Sequence, residues 1–194
     1  MSKIALSPNA SGTGVFTIAS PSGNTDRTLT LPDEAGTVLT SASTTVLPKG
    51  APVFRSYLYN GGAIWFFSNG VLTKIPFDTI TFDSNGSFDN TTNYRFQPTI
   101  AGYYQITVNA LFSYTTTGGN VPYLYIYKNG TAYALSGQIY SAVSIYGGVN
   151  VTDVVYLNGS TDYVEGYVYY NSPTAVLDTG SVPTFMSGFL VRAD

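Results

Sequence analysis

The sequence predicts an all-β fold, an antiparallel sandwich or jelly roll, and three features support this prediction. Short runs of aromatic and β-branched residues, which favour strands, recur along the chain from residue 53 onwards. Turn-forming Asn-Gly pairs separate many of these runs, at Asn60, Asn69, Asn85, Asn129 and Asn158. No stretch has the helical periodicity of an amphipathic helix. Many short strands with frequent turns are typical of two packed antiparallel sheets.

The strands are expected in seven runs along the chain. In order, they are Val53 to Tyr59, Ile64 to Phe67, Tyr104 to Phe112, Tyr123 to Tyr127, Val149 to Leu157, Asp162 to Tyr170 and Thr184 to Val191. The third run has the clearest alternation, because Tyr104, Ile106, Val108, Ala110 and Phe112 share one face and Gln105, Thr107 and Asn109 share the other. That pattern predicts a half-buried antiparallel strand.

Residues 1–48 differ in composition from residues 49–194, because they are rich in Ser, Thr, Gly and Asn. Leu29 and Leu31 flank a polar Thr30, as in a short strand with one buried face, and Val38 and Leu39 form another brief apolar patch. The segment is too polar and too short to bury a core of its own. It is predicted to be a short, extended, β-rich arm that gains order from neighbours, followed by a knob over residues 49–194.

Composition excludes several classes of function. The chain has no His and no Cys, which removes Ser-His-Asp and Cys-His catalysis, the usual zinc ligands and disulfides. The net charge is −3 without a Lys/Arg cluster, which disfavours nucleic acid, and no apolar run is long enough to insert in a membrane. The N-terminus lacks the apolar stretch of a signal peptide, so synthesis in a cytoplasm is expected. Charged residues make up only 10%, which favours a surface covered by copies of the same chain.

One block of the chain resembles a known family. Ile75 to Asp78 and Phe88-Asp89 precede the run from Phe96 to Tyr104, which reads F-x-P-x-x-A-G-Y-Y. Thr184 to Leu190 follows with the pattern of a closing strand. In this order the motifs resemble the globular head of the complement C1q/tumour-necrosis-factor jelly roll, over about residues 50–194. The resemblance implies a C1q/TNF-like antiparallel jelly roll that forms a homotrimer and presents a binding surface.

The segment from Thr28 to Leu39 resembles the Gly/Thr-rich segments of tailed-bacteriophage fibre and structural proteins. Together the two resemblances imply a non-enzymatic phage virion surface protein, a short tail fibre or receptor-binding protein that acts in host attachment. The alternative is a trimeric capsid decoration (cement) protein whose arm clamps capsid subunits. The expected partners are two further copies of the chain, other virion proteins through residues 1–48, and a host surface glycan or protein. The expected location is the virion surface, on tail or capsid, after synthesis in the host bacterial cytoplasm.

Two rows of tyrosines are the main candidates for contact with a partner. Tyr123, Tyr125 and Tyr127 alternate with Leu124 and Ile126, so the three rings share the face opposite the core. A second row contains Tyr163, Tyr167 and Tyr169. Tyrosine joins a large apolar ring to a polar tip, so these rows could bury a trimer interface or bind a ligand. Both roles stay open, with the interface favoured.

Acidic residues give a weaker set of candidates. Asp78, Asp83 and Asp89 lie in or beside predicted turns, where loop carboxylates could bind calcium or cap the turns. No other cofactor is expected. Four further acids, Asp153, Asp162, Glu165 and Asp178, are dispersed and are expected to be surface charges rather than a catalytic pair.

Overall fold

A computed structural model describes residues 11–15, 17, 22–26, 28, 50–115, 121–137, 144–171, 176–180 and 182–194. The chain divides into two compact units, Met1–Thr37 and Val38–Asp194, and all strands found among the described residues belong to the second. The strands are β1 (Val53–Tyr57), β2 (Trp65–Phe66), β3 (Thr73–Lys74), β4 (Thr79–Asp83), β5 (Phe88–Asp89), β6 (Arg95–Phe96), β7 (Ala101–Thr115), β8 (Tyr123–Lys128), β9 (Thr131–Gly137), β10 (Ser144–Asn158), β11 (Val164–Tyr169), β12 (Val176–Leu177) and β13 (Phe185–Ala193). A short 3-10 helix (Asn60–Gly62) follows β1.

The strands form two antiparallel sheets. The first sheet has the order β2-β12-β7-β13-β1-β4, with β10 paired to the other side of β7. The second sheet has the order β5-β6-β11-β8-β9, with β3 also paired to β11. Most neighbours are distant in sequence, so long connections cross between the sheets as they do in a jelly roll. The predicted all-β antiparallel sandwich is confirmed.

The core lies between the two sheets, and β7 contributes the longest row to it. Tyr104, Ile106, Val108, Ala110 and Phe112 are all fully buried, which confirms the predicted alternation. The second sheet adds a facing row from β8 and β11, with Leu124, Ile126, Val164 and Val168 fully buried. Each strand therefore has one face toward the core and one outer face.

The aromatic residues of the F-x-P-x-x-A-G-Y-Y motif stack inside this core. The Phe96 ring lies 4.2 Å from the Phe54 ring and 5.5 Å from the Tyr104 ring, between centroids. The Tyr104 hydroxyl donates a 2.7 Å hydrogen bond to the carbonyl of Ile100, so its polar tip is satisfied. At Gly102 a Cβ would lie 2.3 Å from the carbonyl oxygen of Arg192, so a side chain there would force β7 and β13 apart. The motif is therefore required for packing.

The five Asn-Gly pairs play different roles. Only Asn129-Gly130 joins two strands that pair with each other, β8 and β9, and both residues have positive φ, 51° and 75°. The other four pairs connect strands that are not hydrogen-bonded partners, and of these Asn60-Gly61 lies in the 3-10 helix and Asn158 ends β10. The described residues include no helix that is long and apolar enough to cross a membrane.

The predicted arm can be followed only in part. Leu29, Leu31, Val38 and Leu39, and the predicted boundary between residues 48 and 49, lie outside the described residues. The arm, its virion-anchoring role and its boundary stay predictions.

Candidate functional site

The six predicted tyrosines lie together on the outer face of the second sheet. Tyr123, Tyr125 and Tyr127 point away from the core along β8, because the residues between them are buried. In β11, Tyr167 lies opposite Tyr125, and Tyr169 lies opposite Tyr123. We call the surface formed by Tyr123, Tyr125, Tyr127, Tyr163, Tyr167 and Tyr169 the tyrosine face. Each of its side chains is half-buried in the isolated subunit.

The rings of the tyrosine face form a nearly continuous chain. Centroids are 6.4 Å apart between Tyr123 and Tyr125, and 5.9 Å apart between Tyr125 and Tyr127. The ring centroids of Tyr167 and Tyr127 are 4.3 Å apart, and those of Tyr169 and Tyr123 are 6.2 Å apart. Such contacts hold each ring against its neighbours and limit the orientations it can adopt.

A pair of opposite charges lies within the tyrosine face. The Lys74 ammonium on β3 lies 2.5 Å from Glu165 Oε1, and the Glu165 side chain is only 5% exposed. Lys74 also donates to the carbonyl of Asn93 and lies 5.8 Å from the centre of the Tyr167 ring. A buried carboxylate needs such a partner, because burial without one is costly.

Two hydroxyl groups of the tyrosine face have raised pKa values. Burial raises the pKa of Tyr167 to about 12, and the charge of nearby Glu165 adds to the effect. Burial also raises the pKa of Tyr125, with further contributions from Tyr127, Tyr123 and Tyr169. A raised pKa favours the neutral hydroxyl of these two residues, which can both donate and accept hydrogen bonds.

In β9, the strand next to the β8 tyrosine row, a glycine leaves room for one of the tyrosine rings. At Gly137 in β9 a Cβ would lie 2.9 Å from Tyr123 Cδ1, so the Tyr123 ring lies directly over this glycine. Leu135, opposite Tyr125 in the β8–β9 pairing, is 59% exposed and extends the apolar surface toward the edge of the sheet.

The outer face of the first sheet is different, and the sequence analysis missed it. We call this surface the apolar face; its members are each 38% to 45% exposed, and they are Val53, Phe82, Tyr103, Val154, Phe189 and Val191. One row crosses the sheet, because Val154 and Phe189 both pair with Gln105, and Phe189 also pairs with Val53. Exposed apolar side chains that cluster on one face of a sheet are typical of an interaction site, and Gln105 is the polar residue between Val154 and Phe189 in this row.

A cleft and two cations shape the apolar face. Tyr103, Val154, Val191 and Arg192 line a shallow cleft of about 400 Å³. The Arg192 guanidinium lies 4.8 Å from the centre of the Tyr103 ring. Arg55 lies in the same way over Phe185, at 4.4 Å. Both cations therefore lie over aromatic rings, which keeps their apolar stems against the surface.

The three candidate calcium ligands lie apart, with Asp78 before β4, Asp83 at the end of β4 and Asp89 at the end of β5, and all three bind backbone amides. Asp78 accepts hydrogen bonds from the amides of Tyr59 and Asn60, and Asp83 accepts one from the amide of Phe88. Asp89 accepts bonds from residues 91–93, and the amide of Thr92 above all holds the pKa of its carboxyl well below the usual range. These contacts are those of turn-capping carboxylates. In the part of the chain that the structure describes, no three acidic side chains gather to hold a metal. Calcium binding stays an untested prediction.

Three of the other four acids have separate partners, and Glu165, whose side chain is 5% exposed, is buried rather than the expected surface charge. Asp162 lies 3.1 Å from the Lys128 ammonium, and Glu165 pairs with Lys74. Asp153 accepts a hydrogen bond from the amide of Val154. These contacts are those of structural charges on different elements.

Comparisons with known proteins identify the fold but no family. No protein-family model matches the chain, and no curated protein sequence matches it. Among solved structures it is similar to murine APRIL, which has a tumour-necrosis-factor jelly roll. The crystal structure of murine APRIL at pH 5.0 superposes with a TM-score of 0.53 at 11% identity, covering 73% of this chain and 99% of that one. The structure at pH 8.0 gives a TM-score of 0.52 at 15% identity, covering 72% and 98%. The knob therefore has a C1q/TNF-like jelly-roll fold, as the motifs implied.

Proposed function

We propose that the chain is a non-enzymatic surface protein of a tailed-bacteriophage virion, whose trimeric knob acts in host attachment as a short tail fibre or receptor-binding protein. The arm motif from Thr28 to Leu39 supports the virion assignment, and the jelly-roll fold of the knob supports a recognition module. The observation that carries the proposal is the presence of two chemically different outer faces. One is suited to contact between subunits and the other to contact with a partner.

The apolar face is the surface that self-association would cover. It spans five strands, from Val154 on β10 to Phe82 on β4, and none of the six residues that define it carries a carboxylate. Closed threefold symmetry lets each subunit bury this face against its neighbours and leaves no surface open for further growth. In this arrangement the tyrosine face of every subunit remains accessible to a partner.

The apolar face bears on which of two roles the tyrosine rows play. From the sequence, the trimer interface is the favoured role, because a trimer must bury apolar stripes that a monomer would leave exposed to water. The apolar face now offers a surface richer in aliphatic side chains for that role. The tyrosine rows, with their hydroxyl groups and the adjacent Lys74–Glu165 ion pair, are assigned in this proposal to the partner.

Immunogold electron microscopy of intact phage particles tests the virion assignment, with antibody raised against residues 50–194. We expect label at the tail end. Label spread over the head would instead identify a capsid decoration protein, and particles without label would contradict the virion assignment. Native mass spectrometry of the purified chain tests the oligomer separately, and a mass of three chains is the expected result.

A further inference from the structure

We propose that the tyrosine face binds an uncharged polysaccharide, whose sugar rings stack along the β8 tyrosine row. This inference rests on the proposed recognition function and names the chemical class of the partner. It is argued from the spacing of the rings, the shape of the surface beside them and the disposition of charge.

The spacing of the tyrosines is that of a repeated site. Tyr123, Tyr125 and Tyr127 follow one another at every second residue of β8, so their attachment points are about 7 Å apart along one line. Their ring centroids are separated by 6.4 Å and 5.9 Å. A row of similar sites in one direction suits a polymer of similar units. Tyrosine suits sugars in particular, because its flat apolar ring packs on C–H groups while its hydroxyl bonds to polar groups.

The shape of the face leaves ring surfaces open to solvent. The Tyr123 ring packs close to Gly137, and each tyrosine of the face is only half-buried, so part of each side chain is exposed to solvent. Leu135, opposite Tyr125, adds an exposed apolar side chain on the neighbouring strand. The anchor residues of protein–protein interfaces, by contrast, insert into well-packed desolvated pockets. An open platform of half-buried rings is better suited to a flexible chain of sugars.

The charged side chains of the face already have contacts within the fold. Lys74 and Glu165 neutralise each other at 2.5 Å. Arg95 lies 4.3 Å from the centre of the Tyr163 ring and donates a 2.8 Å hydrogen bond to Gln97 Oε1. A charged partner would have to compete with these contacts to gain electrostatic stabilisation. An uncharged partner would leave these contacts intact. The distribution of charge on the face therefore favours a neutral polymer.

Affinity electrophoresis of the full chain tests this proposal. Native gels contain dextran, yeast mannan or galactomannan as uncharged polymers, and hyaluronan as an acidic one. We expect at least one uncharged polymer to slow the wild-type chain, and Tyr125→Ala and Tyr127→Ala each to weaken that binding about tenfold. Leu135→Ser, at a position that is 59% exposed, is expected to weaken binding about threefold. Tyr59→Ala removes an exposed tyrosine outside the face and is the matched control, with binding unchanged.

Three results would overturn the proposal. No retardation in any uncharged polymer excludes the class, and retardation in hyaluronan alone assigns a charged partner. Dissociation of the Tyr125→Ala or Leu135→Ser oligomer, measured by light scattering, identifies the face as a subunit interface. These readouts are independent of the particle-labelling experiment. If retardation depends on Tyr125 but the protein is absent from virions, the virion assignment is refuted and the assignment of the binding face is kept.

Discussion

The two outer faces of the sandwich are built on the same kind of strand and differ in chemistry. On the first sheet, Phe189 and Val191 of β13 project outward, and aliphatic side chains of neighbouring strands surround them. On the second sheet, Tyr125 and Tyr127 project outward beside an ion pair in which the Glu165 carboxylate is buried and Lys74 is partly exposed. The difference shows that exposed aromatic content alone does not define a binding surface. The two faces differ in their polar groups. The tyrosine face carries hydroxyl groups and an ion pair, whereas the apolar face consists mostly of valine and phenylalanine side chains.

The largest expected effect comes from placing a charge on the apolar face. Phe189→Asp introduces a carboxylate at the centre of the surface that the proposed trimer buries. We expect the association constant of the oligomer to fall by at least about two orders of magnitude, because a buried unpaired carboxylate costs several kcal/mol. Analytical ultracentrifugation over a range of concentrations measures this change.

The mirror variant sharpens the comparison. Tyr125→Asp places the same charge on the tyrosine face, where the proposal leaves the surface open to solvent. We expect its oligomer to sediment as the wild type does. If Tyr125→Asp dissociates the oligomer and Phe189→Asp does not, the roles of the two faces are reversed.

A smaller effect is expected from the ion pair of the tyrosine face. Lys74→Met keeps the length of the side chain and removes the partner of Glu165, which is only 5% exposed. We expect the free energy of unfolding at neutral pH to fall by about 1–3 kcal/mol, which allows for the partial exposure of Lys74. Urea denaturation measures the change.

A double variant separates the charge from the packing. In the Lys74→Met background, Glu165→Gln replaces the unpaired carboxylate with a neutral amide, which costs less to bury. Partial recovery of stability is the expected result. A Lys74→Met protein within about 0.5 kcal/mol of the wild type would show that the pair is not a structural requirement of the face.

The sequence predicted the tyrosine face because the residue types in β8 differ between the two sides of the strand. Tyr123, Tyr125 and Tyr127 alternate with aliphatic residues, so the two faces can be separated by eye. The same reasoning placed the buried row of β7 correctly. In both cases a polar and an apolar set share one strand.

The apolar face could not be predicted in this way. In β13 both alternating sets are apolar, since Met186 and Leu190 are buried while Phe189 and Val191 are exposed. Periodicity cannot tell which set faces the core when neither is polar. The register shift between Leu190 and Arg192 adds a further break in the pattern. Only the pairing with β1 and β7 decides the orientation of these side chains.

Turn chemistry was also read incompletely from the sequence. The five Asn-Gly pairs suggested hairpins, but only Asn129-Gly130 closes one, because pairing in a jelly roll is mostly between distant strands. For Asp78 and Asp89, the sequence left calcium binding and turn capping open. The contacts with backbone amides show what the carboxylates do in the fold, and a single sequence carries no record of those contacts.

The smallest expected effect concerns the titration of one tyrosine. The pKa of Tyr167 in the fold is raised to about 12, chiefly by burial and then by Glu165, from an ordinary value of about 10. A raised pKa means that its contribution to stability is complete below pH 10 or so and is lost as the pH rises toward 12. Titration followed by phenolate absorbance should therefore show that Tyr167→Phe lacks one ionisation near pH 12. If Tyr167→Phe instead lacks an ionisation near the ordinary tyrosine pKa of about 10, Tyr167 is well solvated. The centre of the tyrosine face would then be more open than its ring contacts indicate. Tyr59→Phe serves as the comparison for an exposed ring outside the face.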